Sequence, residues 1–167
     1  MKVDILVFAA HPDDAEISAA GTIMKHVEMG KKVVVVDLTG GELGSRGSKE
    51  LRAKEAADAS KLMGIHARVN LGMADGFFED NKENRLRVIE QVRKYRPDIV
   101  LTTATSDRHI DHGRASELTS EACFLSGLRK IMTELMLAVM VLLLLAGFPM
   151  KMPLISAAVL GFLVLLT

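Results

Sequence analysis

The chain has 167 residues and a mass of 18.2 kDa, enough for one domain of ordinary size with a single core. Its 21 Lys+Arg balance 21 Asp+Glu, so a formal net charge of zero gives no electrostatic case for nucleic acid or for an anionic membrane surface. One cysteine, Cys123, excludes an internal disulfide framework and a cysteine-rich zinc cluster.

Residues 3–8 are a short, mostly apolar run that suits a buried strand. The run is too short for a secretory signal and stops at His11-Pro12-Asp13-Asp14. This part of the chain is therefore expected in the cytoplasm, with Cys123 reduced. Residues 15–29 read as a helix ending before Gly30. Residues 33–36 read as a second buried strand, and residues 39–47 as a loop carrying Gly40, Gly41, Gly44 and Gly47. Ser48 is the expected N-cap of a helix that runs to about Met63 and stops at Gly64. A third strand is expected over 68–71, and a helix over 82–95 that Pro97 terminates. A fourth strand is expected over 98–103 and a last soluble helix over 113–128. Met24, Met29 and Met63 read as helix packing. His26 and His66, without ligand-like neighbours, read as surface residues.

The chemistry of the chain changes at Met132. Residues 1–131 hold 40 of the 42 charged residues and all five histidines, whereas residues 132–167 hold only Glu134 and Lys151. Residues 135–148 are an uncharged run of 14, about 21 Å long as a helix. Extension to Met152, with Lys151 snorkelling, brings it near the roughly 20 residues of a bilayer span. Pro149 and Pro153 interrupt it, and residues 154–166 are a second apolar stretch. The tail reads as a transmembrane or re-entrant helical segment, and the competing reading is a buried core hairpin. Arg129 and Lys130 would keep the soluble part on the cytoplasmic side of a membrane.

Strands alternating with helices imply an α/β fold, a Rossmann-like, mostly parallel sheet with helices on both faces. Ligands bind such sheets beyond the carboxyl ends of the strands. The first strand leads into His11-Pro12-Asp13-Asp14-Ala15-Glu16, the second into the glycine loop, and the fourth towards Asp107-Arg108-His109-Ile110-Asp111-His112. Imidazole and carboxylate suit zinc or iron(II). Two histidines and a carboxylate leave a position for water, and a neighbouring carboxylate can act as base. The competing reading is a structural polar network. The glycine loop lacks the Gly-Lys-Ser/Thr ending of a P-loop, which argues against a phosphate cradle.

With these two clusters, Thr39-Gly40-Gly41-Glu42-Leu43-Gly44, Arg52 and Glu55, the chain resembles the PIG-L/LmbE family of zinc-dependent N-deacetylases over residues 1–131. Within that family it looks most like the branch that deacetylates N-acetylglucosaminyl malate in bacillithiol biosynthesis. The resemblance implies a zinc site of His11, Asp14 and His112, with iron(II) as the other candidate metal. It implies Asp13 as the general base that deprotonates the attacking water. His109 would stabilise the tetrahedral intermediate or act as acid, and Asp111 would orient it. Arg52 and Arg108 would contact an amino-sugar substrate; a competing reading of Arg52 is an exposed arginine paired with Glu55. A homo-oligomer is compatible with all of this. Family members continue for further strands where this chain turns into its apolar tail, which looks like the start of a TRAP-type transporter permease. The expected domains are thus 1–131, the N-terminal part of a deacetylase domain, and 132–167, an apolar segment. The alternative to an active deacetylase is an impaired, membrane-tethered fusion or remnant.

Overall fold

The computed structural model describes residues 1–145. Two strands, β1 (Ile5–Ala9) and β2 (Val33–Thr39), are buried along their whole length, as their near-continuous apolar sequences require. Around them stand β3 (Ala67–Met73) and β4 (Ile99–Leu101) in a four-stranded sheet of order β3-β2-β1-β4. All pairings are parallel. The helices are α1 (Asp14–Glu28), α2 (Lys49–Met63), α3 (Lys82–Tyr95), α4 (Ile110–Ser126) and α5 (Glu134–Leu145).

Alternation along the central strands builds two cores, one on each face of the sheet. Ile5, Val7, Ala9, Val33 and Val35 pack against Ala15 and Ile23 of α1 and Met63 of α2. Leu6, Phe8, Val34, Val36 and Leu38 pack against Val88 and Ile89 of α3 and Ala115, Leu118 and Ala122 of α4. The expected α/β sheet with helices on both faces is present. The chain moves outward through β2 and β3, then returns to place β4 on the other side of β1. The strand order therefore reverses between β1 and β4, and the crevice for a ligand opens at their carboxyl ends.

Local signals set most boundaries. The Ser48 hydroxyl accepts from Leu51 N at the start of α2, and Gly64 ends it with φ 66°, a left-handed conformation that glycine adopts without a Cβ penalty. Several boundaries differ from expectation: β1 starts at Ile5, β3 runs on to Met73 and α4 ends at Ser126. β2 extends to Thr39 because Asp37 is buried there with an arginine partner from β3, Arg68. β4 covers only Ile99–Leu101. α4 begins at Ile110 because the His109 imidazole accepts from Asp111 N as its cap, and Gly113 lies inside the helix. Met63 is core, as expected, but Met24 and Met29 are 43% and 63% exposed, so they do not pack.

Beyond α4, Arg93 of α3 donates to the carbonyls of Ser126, Leu128 and Ile131 and holds the turn into α5. The 12 residues of α5 span about 18 Å, and no helix among the described residues is long and apolar enough to cross a membrane. Leu142 and Leu145 stand 67% and 81% exposed. The expected interruptions at Pro149 and Pro153, Lys151, and the stretch 154–166 lie outside the described residues.

Leu6 is fully buried and Leu62 is 83% exposed. Leu6→Ala is expected to cost about 2–5 kcal/mol through lost transfer energy and a cavity, and Leu62→Ala less than about 0.5 kcal/mol. Urea denaturation of the two variants measures the difference.

Candidate active site

The chain leaves β1 in a tight turn. His11 N donates to Asp14 Oδ2 at 2.9 Å, and Asp14 N donates to His11 O at 3.3 Å. Helix α1 starts at once at Asp14, with Asp13 as its N-cap. An aspartate there ordinarily bonds a backbone N–H of the first turn. Asp13 makes no such bond, and its exposed carboxylate lines the cleft.

The second cluster folds at the start of α4. Asp107 receives His109 N at 3.0 Å on Oδ1 and His112 Nδ1 at 3.0 Å on Oδ2. These bonds hold the Asp107 carboxyl below its ordinary pKa range. The far side of the His112 ring, Nε2, stands 3.1 Å from Asp14 Oδ1, while His11 Nδ1 stands 3.3 Å from Asp14 Oδ2. Asp14 thus joins imidazoles that are 101 positions apart in the sequence. The His109 ring packs against both, with centroids 4.7 Å from His11 and 5.0 Å from His112, which are themselves 5.6 Å apart.

Behind His11 lie two carboxylates. Nε2 donates towards Asp75 Oδ1 at 3.1 Å and Asp111 Oδ2 at 3.3 Å. Asp75 also receives Leu43 N, and Asp111 receives Gly76 N, each at 2.8 Å. Asp111 is fully buried, and Arg114 approaches its other oxygen at 3.3 Å. Burial disfavours charge on His11, but Asp14, Asp75 and Asp111 outweigh it and push its pKa up to about 9. Burial would raise the pKa of Asp14, but the hydrogen bonds from His11 and the nearby His112 lower it.

The expectation that Asp111 orients His109 is corrected. Its carboxylate faces His11, Gly76 and Arg114, and only its backbone N–H touches His109 Nδ1, at 3.3 Å. The other expected residues share one open cleft of about 550 Å³: His11, Asp13, Asp14, Arg52, Arg108, His109 and His112. Arg52 forms no ion pair with Glu55 among the described residues. Instead its guanidinium covers the glycine loop, where a Cβ on Gly41 or Gly44 would stand 2.5 Å from its nitrogens. The loop amides are turned inward, Gly40 N to Glu42 Oε2 and Gly41 N to Thr39 Oγ1, so they do not cradle a phosphate.

The donor set fits a divalent ion. His112 Nε2 and His11 Nδ1 both face the Asp14 carboxylate, at 3.1 and 3.3 Å, and two imidazole nitrogens with a carboxylate are ligand types that suit a divalent ion. Ligand atoms about 2.0–2.2 Å from a tetrahedral zinc stand about 3.3 Å apart, close to the 3.1 and 3.3 Å found here. Asp14 meets the two imidazoles through different oxygens, and the groups at this site whose ligand atoms all lie within 4.8 Å of one another are His11, His109 and His112, and His11, Asp75 and Asp111. Asp75 and Asp107 are the groups that motif reading missed in these roles. Outer carboxylates that fix ligand tautomers are a regular feature of histidine metal sites.

The profile of the GlcNAc-PI de-N-acetylase (PIG-L) family matches residues 6–123. The diacetylchitobiose deacetylase of Thermococcus kodakarensis is 31% identical over 134 residues, covering 74% of this chain and 50% of that protein. A probable N-acetyl-alpha-D-glucosaminyl L-malate deacetylase 2 of Bacillus anthracis is 28% identical over 131 residues, 71% of this chain and 58% of that protein. The crystal structure of the conserved protein TT1542 from Thermus thermophilus superposes with a TM-score of 0.76 at 43% identity, covering 79% of this chain and 60% of that one. The chain spans about half to three fifths of the length of these relatives. It belongs to the PIG-L family.

Asp111→Ala is expected to destabilise the fold by about 1–3 kcal/mol, because it strands the Gly76 amide and one side of His11. Asp13→Ala removes a carboxylate without a bond and is expected to change stability by less than about 0.5 kcal/mol. Urea denaturation distinguishes them.

Proposed function

Proceeding from this family membership, we propose that the chain carries the metal-binding and water-activating groups of a zinc-dependent hydrolase that removes acetyl from an N-acetylglucosamine conjugate. The observation that carries the reading is Asp14 between His112 and His11, at 3.1 and 3.3 Å, beside an Asp13 that does not cap its helix. His11, Asp14 and His112 would hold the metal, with iron(II) as the alternative ion. When bound there, zinc supplies a Lewis acid that polarises the amide carbonyl and acidifies water.

Asp13 takes the proton of the attacking water as its oxygen bonds the acetyl carbon. His109, exposed in the cleft and packed against both other imidazoles, meets the developing oxyanion or delivers a proton to the leaving amine. The C–N bond then breaks, leaving acetate and the free amino sugar. Asp111 acts through His11, whose Nε2 it and Asp75 hold. Arg52 and Arg108 face the conjugate, and a guanidinium fork suits either sugar hydroxyls or carboxylates. Two arginines in the cleft favour an acidic aglycone, and the Bacillus anthracis relative supports N-acetylglucosaminyl malate as the substrate. In this reading residues 1–131 are the catalytic part, residing in the cytoplasm.

The test is acetate release by the full chain with zinc, from N-acetylglucosaminyl malate and from N-acetylglucosamine. Asp13→Ala is expected to lower the rate about 10²–10⁴-fold with zinc still bound, and His112→Ala to lose the zinc. Arg52→Ala is expected to raise KM for the malate conjugate more than for the simple sugar. Equal rates for wild type and Asp13→Ala would remove the assigned base. Zinc binding without acetate release would favour the impaired-remnant reading instead.

A further inference from the structure

Beneath the His11–Asp14 turn lies a buried arginine that the catalytic reading does not use. Arg68 sits on β3, paired in register with Val35 of β2, and its side chain is 9% exposed. Its Nε and Nη2 donate to Asp37 of β2 at 2.7 and 2.9 Å. Its Nη1 donates to Glu16 in the first turn of α1 and to Ala56 O of α2 at 3.3 Å. Its Nη2 also reaches Glu16 Oε2 at 3.3 Å and donates to Pro12 O at 2.5 Å.

That place is unfavourable for a cation on two counts. It is buried, and it lies at the positive end of the α1 dipole. Asp37 and Glu16 offset the charge, but neither needs the bond to Pro12. Pro12 has no N–H and a fixed φ, so its carbonyl is the one backbone group through which a neighbour can grip this residue. Gripping it sets the peptide plane between Pro12 and Asp13, and so the direction in which Asp13 and Asp14 leave the turn. We infer that Arg68 is a positioning residue: anchored on Asp37 and Glu16, its guanidinium holds the Pro12 carbonyl and thereby aims the carboxylates of Asp13 and Asp14 into the cleft. The turn's geometry follows from contacts alone; the consequence for turnover rests on the function proposed above.

Lysine keeps the charge but cannot bond Asp37, Glu16 and Pro12 in one plane. Amide hydrogen exchange on the full-length, metal-free Arg68→Lys variant is expected to speed about tenfold at His11 and Asp14, whose N–H groups close the turn. Leu6 and Val35 in the central strands are expected to keep their protection. In the same variant, zinc affinity by chelator competition is expected to fall about tenfold, with kcat reduced and KM unchanged. Unchanged exchange at His11 and Asp14 in a folded Arg68→Lys protein would overturn the inference. If that variant loses protection everywhere, Arg68→Met/Asp37→Asn, which leaves no unpaired carboxylate on β2, is measured in its place. Loosening confined to the turn supports positioning, and uniform loss in this variant too assigns Arg68 a purely structural role. Exchange is read without metal or substrate, so a wild-type chain that released no acetate would defeat the proposed function and leave this inference standing.

Discussion

Two imidazoles from distant parts of the chain face one carboxylate, and the fold exists around that meeting. Asp14 can reach both His11 and His112 only because β4 returns to the side of β1 away from β2. Had β4 joined the sheet beyond β3, two strands would separate the clusters, a gap of about 10–15 Å at ordinary strand spacing. The short β4 has little to stabilise it on its own, with Ile99 half exposed. Its placement is secured by α3 and α4, which pack on the same face of the sheet as Leu6 and Phe8.

The pocket is crowded with negative charge. Asp14, Asp75, Asp107 and Asp111 surround three imidazoles, and so many ionised carboxylates at this distance repel one another. Part of the offset is local. Backbone N–H groups of His11, Leu43, Gly76 and His109 each donate to one of these carboxylates. Part is architectural: both clusters lie at helix N-termini, α1 and α4, where unsatisfied amides and the macrodipole favour anions. The remainder falls on His11, whose imidazole the neighbouring carboxylates hold in its charged form, with a pKa pushed up to about 9.

The sheet and the positions of the two histidine–aspartate clusters were legible because they obey short-range rules. Apolar strands bounded by glycine and polar loops give the α/β order, and His-Pro-Asp-Asp directly after a strand is conspicuous. The groups behind His11 and His112 were not legible. Asp75 is a single aspartate in a small-residue loop, and its role appears only when β3 is laid beside β2 and the loop falls under His11. Arg68 opens the expected third strand and Asp37 falls just past the expected second one; their pairing is a matter of register. Asp107 stands within the second motif, but its grip on His112 Nδ1 depends on the turn that starts α4. That start was itself obscured, because an imidazole cap is uncommon and Gly113 resembles a helix breaker.

The buried and exposed parts of the site have different origins, and this divides reaction from substrate. His11, Asp75 and Asp111 are buried, and Asp14 nearly so; all are held by bonds to the sheet edge or to one another. A change there disturbs the fold as well as the chemistry. Arg108 stands exposed on the loop before α4, and Arg52 rests on a glycine loop that tolerates it only because Gly41 and Gly44 carry no Cβ. Such groups can be exchanged at small cost to stability. On the proposed reading, one sheet edge keeps a hydrolytic centre constant while its loops adapt to different aglycones, and Arg52 and Arg108 are where this chain would express its own preference.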